Sequence, residues 1–299
     1  MNDCDTLEQR RRVILDDMAP KASSMFGAHA LFATSDEEAA ERTEKIVTTS
    51  LGQQSDSPFA LAQMGCFDTF GAMFLLCRWQ DEMTAHTRDH IRQVMTGNTH
   101  GRGNTENHWL MHYTAQLLAA ELYTDVDIWW NGLPREVFLA EATRWILGTI
   151  DRTARIGHHE YDSTDYHGWH VLPMIALADH AADATVRQRA GDMATLLIAD
   201  MALEYFRGCW SGGHAREGYR ENTWTHIGSA SALMYLYFGG PLLGPLQTQQ
   251  AMGPALAARY EPPAILCAIA NDRSRPRVVR KTKAARNIYR HVEDDARPV

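Results

Sequence analysis

Apolar residues recur at helical spacing along most of this chain. Residues 5–18 set Leu7, Val13, Ile14 and Met18 among charges, the pattern of a one-faced helix. The acidic run Ser35-Asp36-Glu37-Glu38 predicts a helix start, with the helix continuing to about Thr49. Pro58 predicts the first turn of a long apolar helix over 58–80, holding Phe59, Leu61, Met64, Phe67, Phe70, Met73, Phe74 and Leu76. A short helix fits 84–96, and the stretch from Gly97 to Gly103 reads as a loop. Thr105 predicts an N-cap for a helix over 106–123. Pro134 opens 134–156, with Phe138, Leu139, Trp145, Ile146 and Ile150 as its core stripe. Helices follow over 166–183, where Pro173 is tolerated in the first turns, and over 185–207. An apolar helix over 229–238 ends at Gly239-Gly240-Pro241, and Pro262-Pro263 opens a last helix to about Ala270.

No segment alternates with period two, and Val/Ile-rich strands are nearly absent. The fold class is therefore all-α, with roughly ten helices on short connections. Helical hairpins packed in a ring or layered array are expected: an (α/α) toroid or barrel, complete or incomplete. The expected domain is 1–271. From 272 to 299 the chain turns strongly basic and then acidic with little apolar periodicity, which reads as a solvated tail or as the start of a further domain.

Three polar islands interrupt this pattern: Thr105 to His108, Gly157 to His170, and Gly212 to Asn222. Each lies beside a long apolar helix, and each is dense in Asn, His, Glu, Tyr and Arg. In the first, Asn107 and His108 open a helix, and His112 lies four residues beyond His108 on the same face. That spacing suits a metal but lacks the intervening Glu of the zinc-protease motif. Helix capping plus one buried, hydrogen-bonded histidine accounts for this segment slightly better. The second island places His158, His159, Glu160, Tyr161, Asp162, Asp165, Tyr166, His167 and His170 within fourteen residues. A turn alone would be served by Ser, Asn, Gly and Asp. Four histidines and two tyrosines exceed that need and point to proton transfer or sugar contact. The third island joins Gly212-Gly213 to His214, Arg216, Tyr219 and Arg220, with Trp210 and Trp224 alongside, and reads as an anion-binding loop. Arg102 joins the candidate substrate contacts. Trp129-Trp130-Asn131-Gly132 reads first as a loop anchored by packed indoles.

Composition narrows the options. The 299 residues carry a net charge of −8, which argues against a nucleic-acid partner, although a local Arg/His cluster can still hold an anion. Five widely spaced cysteines form neither a disulfide framework nor a zinc pattern and read as free thiols. The first eighteen residues have charges inside every apolar stretch, so neither a signal peptide nor a membrane span is expected there. The chain as given reads as cytoplasmic, or as periplasmic or secreted if a leader has been removed.

The segments TENHWLMHYTAQLLAAELY, HEYDSTDYHGWHVLPMIALADHAAD and FRGCWSGGHAREGYREN together resemble helical-toroid polysaccharide lyases, most closely the family-38 group of glucuronan and alginate lyases. The resemblance spans about Thr105 to Tyr237. It implies cleavage of a uronate-containing polysaccharide or oligosaccharide by β-elimination, without a metal or other cofactor. It also implies a site of Asn107, Glu160, Arg216 and Tyr219, with Tyr166 as the alternative tyrosine. Asn107 and Arg216 would bind the uronate carboxylate with help from Glu160, and Tyr219 would carry the proton.

His108 and His167 are reserve bases. Tyr166, His167, His170, His214, Arg220 and Trp224 are the expected substrate contacts besides Arg102. Three rivals remain open. One is a glycoside hydrolase using Glu160 with Asp162 or Asp165. Another is a metal enzyme using His108, His112, His167 and His170. The third is a non-catalytic glycan-binding protein.

Overall fold

The computed structural model describes residues 6–52, 63–211, 228–241, 250–276 and 278–281. Among them are twelve α-helices and four strands of two residues each, so the chain is all-α. The helices are α1 (Leu7–Met18), α2 (Met25–Ala33), α3 (Ala39–Gly52), α4 (Cys66–Trp79), α5 (Ala85–Gly97), α6 (Glu106–Leu122), α7 (Arg135–Ile156), α8 (Gly168–His180), α9 (Ala184–Glu204), α10 (Ser229–Phe238), α11 (Gly253–Ala257) and α12 (Ala264–Asn271). None is long and apolar enough to cross a membrane.

Burial divides the helices into two sets. Eight of nine residues of α2 and ten of thirteen of α8 are buried, against four of 22 in α7. Helices α2, α4, α6, α8 and α10 form the inner set, apolar on nearly every side. Helices α1, α3, α5 and α7 are amphipathic and cover them, each burying one stripe. In α7 the stripe is Phe138, Ala142, Ile146 and Ile150, with Leu139 and Trp145 half-buried at its edge. Helix α4 packs on α2 and α6, and α6 packs on α8. The order then returns through α10, which touches α8 and α1, and through α11, which touches α8 and α2. Arg10 of α1 clamps this return. Its buried guanidinium donates to the carbonyls of Leu236 (2.7 Å) and Tyr237 (3.2 Å), where the end of α10 favours a cation.

Several boundaries differ from the sequence expectation. Helix α2 is not foreseen by periodicity, because an element buried on all sides has no polar face to set a period. Helix α4 begins at Cys66. Pro58, Phe59 and Leu61 lie outside the described residues, and Met64 belongs to β1 (Gln63–Met64). That strand pairs in parallel with β2 (Thr99–His100), in what reads as plain loop. The other two strands, β3 (Tyr205–Phe206) and β4 (Cys209–Trp210), form an antiparallel pair after α9. Pro173 lies inside α8, beyond its first turn, where its missing N–H leaves the Trp169 carbonyl without the usual i−4 donor. The segment after α12 does not project freely: Arg273 donates to the Tyr205 carbonyl (3.0 Å), and Lys281 is fixed against α9.

The inner helices carry polar groups that the interior must satisfy. On α6, Gln116 Oε1 accepts from Trp130 Nε1 (2.8 Å), and Gln116 Nε2 stands 2.8 Å from His100 Nδ1. The amide nitrogen can only donate, so Nδ1 accepts and His100 Nε2 carries the proton, which it donates to the Val94 carbonyl at 3.1 Å. His100 is thus a neutral core residue, and the Trp129-Trp130 loop is the packed anchor expected of it. Burial pushes five histidines well below the ordinary 6.5: His100, His167 and His180 to about 4, His29 and His112 to about 3. Between those values and 6.5 the unfolded chain binds protons that the folded chain does not. Their contribution is therefore complete above about pH 6.5 and is lost as pH falls towards 4. Chemical denaturation across that range should show stability dropping steeply with acid; a flat profile would contradict burial of these rings in neutral form.

Candidate functional site

Residues of the first two islands meet at the N-terminal end of α6. Glu106 occupies the first turn, and its carboxylate accepts from the backbone N–H of His159 at 2.5 Å. His158 is buried and stacks on His170 of α8, with ring centroids 4.1 Å apart and planes 27° from parallel. His170 Nε2 lies 3.3 Å from Glu160 Oε2, both side chains being almost wholly buried. Ligand-capable atoms of Glu106, His158 and His170 all lie within 4.8 Å of one another. Leu110, Met174 and Leu197 form an apolar wall beside His170.

Asn107 is fully buried next to Glu106. Thr105 has the extended backbone of an N-cap, but its side chain makes no capping bond; its hydroxyl instead contacts Asn107 Oδ1 in a short hydrogen bond. Asn107 Nδ2 has no acceptor among the described residues. A buried amide donor without an acceptor costs about 1–3 kcal/mol and calls for a ligand or water to complete it.

The remaining candidates fall in different places. His108 packs edge-on against Phe67, under Gly103, whose φ of +73° and whose contact with the His108 ring leave no room for a Cβ. His112 lies one turn on, buried beside Tyr113. His167 is buried, with Nε2 on the Leu197 carbonyl (3.0 Å) and its ring edge-on to Trp210. Because a carbonyl only accepts, that nitrogen donates, and burial holds the ring neutral with a pKa near 4. His167 is therefore a poor base at neutral pH, contrary to its reserve role. Nor do His108, His112, His167 and His170 form a ligand set. Spacing puts the first two on one helix face, but the group that could hold a metal among the described residues is Glu106, His158 and His170. Arg102 is exposed and lies over the Trp109 ring at 4.2 Å. Tyr166 is half-buried against the core at the start of α8.

The carboxylates that a hydrolase would pair with Glu160 are committed elsewhere. Asp162 pairs with Lys281 (2.7 Å), which also binds Asp200 and Glu204, each at 3.0 Å. Burial raises the Asp162 pKa, and the Lys281 contact opposes that rise. Asp165 accepts from Ser229 through both its carboxylate (3.3 Å) and its carbonyl (2.5 Å).

No protein-family model, curated protein or solved structure matches this chain.

Arg216, Tyr219, His214, Arg220 and Trp224 lie outside the described residues, within 212–227. Both described ends of that interval come to the second island. At one end Trp210 packs on His167. At the other, Gly228 rests on Thr164, and the Ala230 N–H donates to the Thr164 carbonyl at 3.0 Å. A Cβ on Gly228 would come within 1.9 Å of the Thr164 carbonyl oxygen, which is backbone and cannot swing aside. A groove of about 530 Å³ elsewhere, lined by Leu7, Arg10, Tyr237, Phe238 and Leu266, contains none of these groups.

Glu106 and His158 were visible in the sequence but had no role assigned. The only available signals were an acidic residue at the first turn of a helix and the doubled histidine before Glu160. Gly228→Ala should lower stability by more than about 2 kcal/mol, since backbone must move. Gly148→Ala on α7, with open space around it, should be neutral or stabilising by up to about 1 kcal/mol. Equal denaturation midpoints for the two variants would refute the close approach at Gly228.

Proposed function

We propose that the protein is a lyase that cleaves a uronate-containing polysaccharide or oligosaccharide by β-elimination, on an (α/α) toroid. The observation that carries this reading is the convergence of Glu106 with His158 and His170. It brings together two islands some fifty residues apart in sequence and sets their titratable groups within 4.8 Å of one another. The likeness of the three motifs to family-38 lyases supplies the reaction type. The buried Asn107 amide nitrogen, without an acceptor among the described residues, supplies a hold on the substrate.

The chemistry asks for three things. The C5 proton of a uronate is weakly acidic, so the negative charge that develops on its carboxylate must be stabilised by donors already in place. In this reading Asn107 Nδ2 and Arg216 meet that carboxylate. A base must then take the C5 proton, and an acid must protonate the O4 leaving oxygen as the C4–O4 bond breaks, leaving a C4–C5 double bond. Tyr219 performs both transfers, as the resemblance implies. Glu160 takes a role different from the one first given to it: bonded to His170, it orients that ring, as a carboxylate orients a catalytic imidazole. The proton transfers themselves require no metal.

The test is incubation with a panel of uronate polymers while recording the ultraviolet absorbance of the new double bond. Rising absorbance is expected. Reducing ends released without it would indicate hydrolysis, and tight binding without turnover would indicate a glycan-binding protein. Arg216→Ala should lower kcat/KM by about 10²–10³-fold, the usual loss for one donor to a developing anion. Tyr219→Phe should abolish turnover while substrate binding persists; retained turnover would move the proton transfer to another residue.

A further inference from the structure

We propose that Glu106, His158 and His170 form a binding site for one divalent transition-metal ion of the zinc class. Their ligand-capable atoms lie within 4.8 Å of one another. Ligands of a tetrahedral zinc ion, at bond lengths of about 2.1 Å, stand about 3.4 Å apart, so closure asks for side-chain adjustments of about 1 Å. Two imidazoles and a carboxylate are a donor set that suits zinc and leaves a fourth position open.

Three further features distinguish this group from an accidental cluster. Both histidines are buried, at 3% and 4% exposure, so few competing conformations are available to them. Glu160 bonds one nitrogen of His170, which fixes the ring and the tautomer of the other nitrogen, as carboxylates behind metal-bound imidazoles do. Glu106 is held in place by the His159 backbone N–H, next to the His158 ring that it must meet. A pair on the surface offers the contrast: His86 and His90 stack at 6.4 Å on α5, with no carboxylate grouped with them as a potential ligand among the described residues.

The site departs from the metal-free elimination that the resemblance implies. Its use rests on the proposed function: the open position would take an oxygen of the uronate carboxylate and share with Asn107 and Arg216 the charge that grows there. Metal binding itself does not depend on that reading.

The test uses the full, tag-free chain, stripped with a chelator, dialysed and titrated with Zn2+ against a chromogenic indicator. Metal content is read by elemental analysis, and Co2+ is then substituted for its visible absorption. One equivalent of Zn2+ and a tetrahedral Co2+ spectrum are expected. His158→Gln, His170→Gln and Glu106→Gln should each weaken binding at least about 100-fold, while the thermal midpoint of each stripped variant confirms folding. The His86→Gln/His90→Gln double variant should bind as the parent does. Less than about 0.1 equivalent, or affinity unchanged in all three ligand variants, would overturn the site. Metal bound through these three residues with no elimination on any uronate polymer would overturn the proposed function and leave the site standing. Elimination by a chain that binds no metal would do the reverse.

Discussion

Helices α6 and α8 are buried on nearly every side, so the polar side chains they carry are stabilised chiefly by partners inside the protein. This constraint organises the rest of the structure. Gln116 satisfies two indoles and His100. His167 spends its proton on the Leu197 carbonyl, and His170 meets Glu160. Each solution ties an inner helix to a particular loop or neighbour and so fixes register between elements that apolar packing alone would let slide. Asn107 is matched on one side only. Its amide is as buried as any of these groups, yet its nitrogen has no acceptor among the described residues. His112 Nδ1 and the Thr114 hydroxyl on the same helix are likewise without a partner among the described residues, so what distinguishes Asn107 is its place beside Glu106, where the first two islands meet.

The second island is the common attachment point for three stretches distant in sequence. Glu106 reaches it from α6. Trp210 and Ser229 reach it from the two sides of the 212–227 interval. Lys281 reaches it from the end of the described chain by binding Asp162 together with Asp200 and Glu204 of α9. Asp162 has a φ of +57°, a backbone state that non-glycine residues rarely adopt, and its ion pair with Lys281 helps to hold it there. The same contact explains why a segment read as a solvated tail is not one at Lys281. A lysine among three carboxylates is worth far more to the fold than its local sequence suggests.

Legibility from sequence followed the physical origin of each feature. Helix α7 was readable because a surface helix must show one apolar stripe, and Phe138, Ile146 and Ile150 lie on it. Helix α2 was not, because a nine-residue helix with eight residues buried carries no period. That the first two polar islands meet was foreseeable from excess polarity at helix junctions. Which of their residues touch was not, since Glu106 and His158 find each other across the packing of α6 on α8, and no local spacing encodes that. The spacing that was encoded, His108 to His112, gives a shared helix face and nothing more. One ring ends against Phe67 and the other beside Tyr113.

His167 and His170 show how partner rather than residue type decides chemistry. They lie three residues apart at the start of α8, both buried, both in contact with the His158 ring or close to it. His167 donates to a carbonyl, a neutral acceptor that offers an imidazolium too little to offset its desolvation, so the ring stays neutral and inert as a base near pH 7. His170 bonds a carboxylate instead, the kind of partner that stands behind a metal-bound imidazole. The same ring position can therefore serve a metal ion. Glu106, delivered by α6 to the same few ångströms, is what gives the metal a third ligand there.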